Sequence, residues 1–280
     1  MVLRTTRKRS NKAVSPAVST VIITGVMVAL ITVALSFASN FLVIRMAESE
    51  FDSSKQFMQT LALQIDDVAW VTGRTETARY SGKYGDVTYM SALNYTIYTT
   101  TDPLPGPSST FQKLYTSRTD IICFNMPVSH YSVGNNYFEL IYPSSNNGFL
   151  FTGASAPVAR IFAVEKLPMV DGSFARVVVV PTIRMLNLSL GDTNYVRLYL
   201  PILSEGAAPK RSHTVTLSGE SVSKIGATVT GIKIEVSFPL AGFDNFFFQF
   251  SQTEELISLS GETVLELYIG KVDVALGVHA

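Results

Sequence analysis

Groups able to do chemistry are few in this chain and poorly spaced for it. The 280 residues contain three histidines, His130, His213 and His279, and a single cysteine, Cys123. They are too few and too scattered for a structural zinc site. Two pairs of neighbouring carboxylates occur, Asp66-Asp67 and Glu254-Glu255. Adjacent side chains on a helix or strand point in different directions, so neither pair makes an acid–base dyad or a calcium loop. No G-x-S-x-G, H-E-x-x-H, P-loop or G-x-G-x-x-G motif is present. His130 beside Tyr131, and His213 at a polar strand start, read as surface residues. No catalytic, cofactor-binding or metal-ligating residue is assigned, and neither an enzyme activity nor a cofactor is expected. The tyrosines Tyr95, Tyr98, Tyr115, Tyr131, Tyr137 and Tyr142 crowd the middle of the chain. The β-propensity of tyrosine accounts for them better than a sugar-binding surface does. Two sequons, Asn94-Tyr95-Thr96 and Asn187-Leu188-Ser189, are candidate glycosylation sites in an exported chain.

The remaining candidate chemistry is proteolytic, and it belongs to the N-terminus. From Val14 to Ile44 there is no Asp, Glu, Lys or Arg. A helix of that length exceeds the roughly 20 residues that cross a bilayer core. The leader before it carries Arg4, Arg7, Lys8, Arg9 and Lys12 and no acid. Bases before the span predict a cytoplasmic N-terminus and an exported body. The net charge of zero hides this asymmetry, since 17 bases face 22 acids after residue 12. A mildly acidic body argues against a nucleic-acid partner. The apolar run is about twice the length of a secretory signal core, and no cleavage region follows it. The small-residue site stands in front of the span instead, at Lys12-Ala13-Val14-Ser15-Pro16.

A basic leader running into AVSPAVSTVIITGVMVALITVAL resembles the N-terminus of archaeal type IV pilin-like proteins over about residues 1–45. The resemblance implies a prepilin-type peptidase that acts on the cytoplasmic side and reads Lys12, Ala13 and Val14. It implies cleavage between Ala13 and Val14, so that the whole apolar helix stays on the mature chain. Many bacterial type IV pilins have a glutamate at the fifth mature position that aids subunit registration; Val18 stands there in this chain. An ordinary uncleaved bitopic anchor has the same apolar length and is the alternative.

Beyond the span, Ile44, Ala47, Phe51, Ser54, Met58, Leu61, Ile65 and Val68 follow a 3–4 spacing, three heptads of apolar seam. No Pro or Gly lies between Gly25 and Gly73, and Gly73 sits where a helix C-cap is expected. One helix from about Pro16 to Thr72 is predicted, apolar all round and then amphipathic. Three heptads are marginal for a coiled coil, which favours packing on the chain's own domain over packing on copies of itself. Trp70 reads as a packing anchor at that junction. Cys123, between Ile122 and Phe124, reads as a small buried hydrophobe. With no disulfide available, an exported domain must rely on its core.

After Gly73 the pattern has period two. Strands are expected at 86–100, 119–126, 137–142, 159–166, 175–180, 183–190, 195–200, 214–217, 232–238, 244–250 and 263–276, with a bulge at Gly270 explaining a shift of apolar parity there. The expected fold is a long N-terminal α-helix followed by an all-β, antiparallel sandwich-like domain. The divisions are a leader over 1–13, a transmembrane or filament-core helix over 14–44, an amphipathic extension over 45–72, and a β-rich domain over 73–280 with a possible sub-boundary near 204–212. The expected role is a membrane-anchored, pilin-like surface subunit of structural or adhesive function. Its expected partners are membrane lipid, the peptidase, and copies or other pilin-like subunits bound through the helix. The alternative is a non-polymerising bitopic surface protein whose β domain binds a ligand or protein partner.

Overall fold

The computed structural model describes residues 16–107, 109–169, 172–191, 193–206 and 213–277. Lys12, Ala13, Val14 and His279 lie outside them, as does most of the 204–212 segment. Helix α1 spans Pro16–Ala69, 54 residues without an interior proline. The chain divides into two compact units between Met46 and Ala47. The helix stops at Ala69, slightly short of the expected Thr72, and Gly73 beyond it takes φ +83°, the left-handed conformation that glycine adopts without a Cβ penalty.

Among the described residues eleven strands follow: β1 (Thr75–Arg79), β2 (Asp86–Thr100), β3 (Gln112–Pro127), β4 (Tyr137–Tyr142), β5 (Leu150–Thr152), β6 (Ala159–Glu165), β7 (Phe174–Pro181), β8 (Ile183–Leu190), β9 (Thr193–Glu205), β10 (Thr214–Ser237) and β11 (Glu254–Leu276). They form one hydrogen-bonded sheet in the order β4-β6-β7-β3-β2-β10-β11-β9-β8-β5, with β1 added to β10. The sheet closes over itself: the Leu203 N–H on β9 donates to Thr119 Oγ1 on β3 at 3.0 Å, although the two strands are far apart in the pairing order. The result is a helix plus a β-sandwich-like domain. Two pairings, β9–β11 and β5–β8, are parallel. β9 and β10 leave a slot between them, and β11 fills it antiparallel to β10 and therefore parallel to β9.

The two faces of the folded sheet have different covers. Ile121, Cys123, Phe162, Val178 and Leu267 belong to the interior, while Ile122, Phe124, Ile161, Val177 and Val179 belong to a second core shared with the later part of α1. Alternate residues of one strand thus enter different cores, and both sets are buried. This removes the polar face and gives the unbroken Val177–Val180 run.

Two sequence expectations are corrected. There is no bulge at Gly270: β11 pairs with β9 in unbroken register from Thr263 to Val274, passing through Gly270↔Pro201. The parity of the apolar residues shifts because the covered face changes. Leu265, Leu267 and Ile269 enter the interior, whereas Val272 and Val274 enter the helix-side core. The register shift lies on the partner strand β10, between Gly219 and Ser221. The expected strand at 244–250 is instead a short helix α2 (Asn245–Phe248). The Asp244 carboxylate caps it by accepting the Phe246 and Phe247 N–H groups, which lets consecutive residues Phe247 and Phe248 both enter the core.

Candidate functional site

The groups that might have done chemistry are dispersed. The His130 ring packs on Tyr84 at 5.1 Å and the His213 ring on Tyr80 at 5.5 Å. Cys123 is buried. Asp66 and Asp67 point apart, Asp66 to Arg184 and Asp67 to Arg74. Among the described residues no group of three His, Cys, Asp or Glu side chains converges as metal ligands would. A hollow of about 490 Å³ is lined by Asp102, Leu104, Pro107 and Ser109 among others, and another of about 270 Å³ lies between Asn187, Tyr195 and Thr263. Neither contains a histidine or a cysteine.

What the structure does present is an apolar helical surface. Val21, Leu30, Leu35 and Phe37 of α1 are 71%, 64%, 64% and 73% exposed. Among the described residues this is one helix long and apolar enough to cross a membrane. Three of its hydroxyl groups are bonded internally: Thr24 Oγ1 donates to the Thr20 carbonyl at 2.9 Å, Thr32 to Val28 at 2.9 Å and Ser36 to Thr32 at 3.0 Å. Donation to the carbonyl four residues back spares these three hydroxyls an unpaired proton on the apolar surface. The apolar run closes at Arg45, whose guanidinium lies over the Phe41 ring at 5.2 Å. Val18 is 48% exposed and carries no charge.

The later part of α1, from Ala47, is built into the β domain. Ala47, Phe51, Ser54, Met58, Leu61, Ile65 and Val68 are all buried. Those are the heptad positions read from the sequence, except that Ile44 is half exposed and the buried seam begins at Ala47. Polar pins flank the seam. The Glu50 carboxylate accepts three backbone N–H groups, from Lys83 at 2.9 Å, Tyr84 at 3.1 Å and Gly85 at 2.8 Å. Lys55 Nζ meets Glu139 at 2.7 Å. Asp66 takes a two-pronged bond from Arg184 at 2.9 and 3.0 Å and a third from Trp70 Nε1 at 2.8 Å. The Trp70 ring stands edge-on to Tyr199 at 5.3 Å. Glycines admit the end of the helix, since a Cβ on Gly270 would lie 2.2 Å from the Ala69 carbonyl oxygen and one on Gly219 2.4 Å from that of Val71.

Sequence reasoning did not single out these pins. Glu50 and Asp66 each sit one residue from a seam position, where a heptad places its flanking charges, and that was the available signal.

The two sequons differ in access. Asn187 and Ser189 are exposed on β8. Asn94 is half buried, its Nδ2 donating to Ser237 Oγ at 3.4 Å, and Thr96 is buried.

On the outer face of β9, β10 and β11, Glu266 is held between Lys224 Nζ at 2.5 Å and Arg197 Nε at 2.6 Å. These bonds hold its carboxyl down to about 2. A carboxylate whose pKa is lower in the folded chain stabilises it above the unfolded value of about 4.3, and that contribution disappears as pH falls toward 2. The unfolding free energy of the native chain should therefore fall relative to Glu266→Gln across that window, and a denaturant series from pH 6 to pH 2 on both proteins reads the difference. Parallel curves would refute it.

Comparison with known proteins yields no match to a family model, a curated protein or a solved structure.

Proposed function

We propose that this chain is a membrane-anchored, pilin-like cell-surface subunit whose work is structural or adhesive. The single observation behind this reading is the division of labour along α1. Its first part keeps a full circumference of apolar side chains exposed, with Thr24, Thr32 and Ser36 bonded to its own backbone, and its later part is a core element of the β domain. An apolar surface of that extent needs lipid or another apolar helix around it. The basic leader orients the N-terminus to the cytoplasm and the β domain outward. A prepilin-type peptidase reads Lys12 and Ala13 and releases a mature chain beginning at Val14. Subunits then associate through their α1 segments, and no reaction is catalysed.

The mature N-terminus tests processing. Intact-mass spectrometry of the native protein should place it at Val14, and replacing Lys12 and Ala13 with acidic residues should abolish cleavage. An intact Met1, or a start beyond Asn40, would sink the pilin-like reading. With Val18 in place of an acid, assembly is tested separately by probing filaments sheared from cells for this chain. Its absence from them, with processing intact, leaves the non-polymerising surface protein.

Export also exposes the sequons, and Asn187 is the acceptor of the two because its carboxamide and Ser189 stand in solvent. Glycopeptide mass spectrometry of the native protein should find a glycan on Asn187 and none on Asn94; the reverse occupancy would contradict the assignment.

A further inference from the structure

The sheet has a notch in it. β10 runs for 24 residues and pairs with β11 along most of that length. Its other edge is shared by two strands that do not meet. β1 covers Thr214–Ser218, where the Gly219 N–H and carbonyl are taken by Arg74 and Gly73, and β2 covers Gly231–Ser237. Between them, from Glu220 to Val229, no main chain pairs with this edge among the described residues. Ten residues of strand span roughly 33 Å, and about half of their N–H and C=O groups point outward into the notch.

The side chains there confirm that the edge is open. Glu220–Lys224, Gly226 and Thr228 are exposed. On the interior side Ile225 and Ala227, opposite Leu267 and Leu265 of β11, are only partly covered although they pack on the core. Proteins normally blunt such an edge with charges, prolines or covering segments. Here the stretch from Glu220 to Val229 has no proline and two charges, Glu220 at its very end and Lys224, which is already bonded to Glu266.

We propose that this edge of β10 is a strand-addition site for an extended segment of a partner polypeptide. An unpaired row of alternating donors and acceptors is complementary to another extended backbone. The ends of the notch set the length at about nine residues. The faces set the composition: apolar side chains on the side of Ile225 and Ala227, and polar ones over Thr228 and Lys224, with an acid favoured beside the lysine. Gly226, with no atom closer to its would-be Cβ than the Leu265 carbonyl oxygen at 3.9 Å, leaves room for a large side chain across from it. A second copy's β10 is excluded in register, because that strand continues past both ends of its own notch and would run into the β1 and β2 that bound this one. The site does not depend on the pilin-like reading and would serve a bitopic surface protein equally.

The test uses the full chain in detergent and a fluorescein-labelled nine-residue peptide alternating valine and threonine around one central glutamate. Hydrogen exchange on the chain alone should show fast-exchanging amides between Ser221 and Thr228, at alternate residues, beside protected amides in β11. Slow exchange throughout that stretch would mean the edge is already occupied and would overturn the proposal. Peptide at about 1 mM, the weak limit of a specific complex, should protect those amides and saturate in fluorescence anisotropy. N-methylation of one alternate set of peptide amides should weaken binding by more than about tenfold, and methylation of the other set should leave it nearly unchanged, because only one set faces β10. Equal loss with both sets, or no protection at saturating peptide, would overturn strand addition.

Discussion

Replacing Phe51 with alanine should lower the unfolding free energy by about 3–5 kcal/mol, the range for truncating a fully buried aromatic. Phe51 is 1% exposed, its ring lies 5.5 Å from that of Tyr131, and Lys55 Nζ stands over the ring at 5.6 Å. The cavity would open between α1 and the sheet, beside the fully buried Met58 and Leu61. Leu63→Ala on the same helix is the control. Leu63 is 53% exposed, and its loss should change stability by no more than about 0.5 kcal/mol. The chain has one tryptophan, Trp70, placed where the helix ends on Tyr199, so its fluorescence in a denaturant titration of the detergent-solubilised chain reads both variants. Equal effects at the two positions would mean that the later part of α1 is not seated on the domain.

Gly270→Val should be nearly as damaging, at about 2–3 kcal/mol, the upper part of the range for overpacking. The first added carbon would fall 2.2 Å from the Ala69 carbonyl oxygen and 2.9 Å from its carbonyl carbon. Both are backbone atoms at the end of a helix whose neighbouring turns are pinned by Asp66 and Arg184, so no rotamer change relieves the overlap. Gly226→Ala provides the contrast on the neighbouring strand. Its Cβ would meet only the Leu265 carbonyl oxygen at an ordinary 3.9 Å, and the loss of unfolded-state freedom should make it neutral or stabilising by about 0.4–1 kcal/mol. The same titration separates them. A Gly270→Val protein as stable as the native chain would show that the helix end can lift off the sheet at little cost.

Much of this was legible from residue pattern alone, for a reason that differs by element. The seam from Ala47 to Val68 was readable because a helix repeats its buried face every three or four residues, whatever covers it. Period-two strands such as Ile232–Ser237 were readable because one face is wet. The failures occur where both faces, or neither, are covered. At Gly270 the change of apolar parity looked like a bulge, because a sequence records which side chains are buried and not which of two cores buries them. At Asn245–Phe248 the four aromatics around Phe248 looked like strand, because burial of consecutive residues erases the period that separates helix from strand; the Asp244 cap decided it. The stretch Ser221–Lys224 offered no apolar alternation to find, since it is exposed on both faces.

The sequence by itself determined the apolar helix, its basic leader, the amphipathic continuation and the β character of the rest, because each follows from local composition and period. Only the tertiary structure decided that β9 and β11 run parallel, that Glu50 is held by the backbone of Lys83 to Gly85, that Gly219 and Gly270 admit the end of the helix, and that no strand among the described residues pairs with β10 between its β1 and β2 ladders. Each of these joins residues far apart in the chain. Contacts of that kind are set by how the layers close on one another, and a single sequence carries no local period that records it.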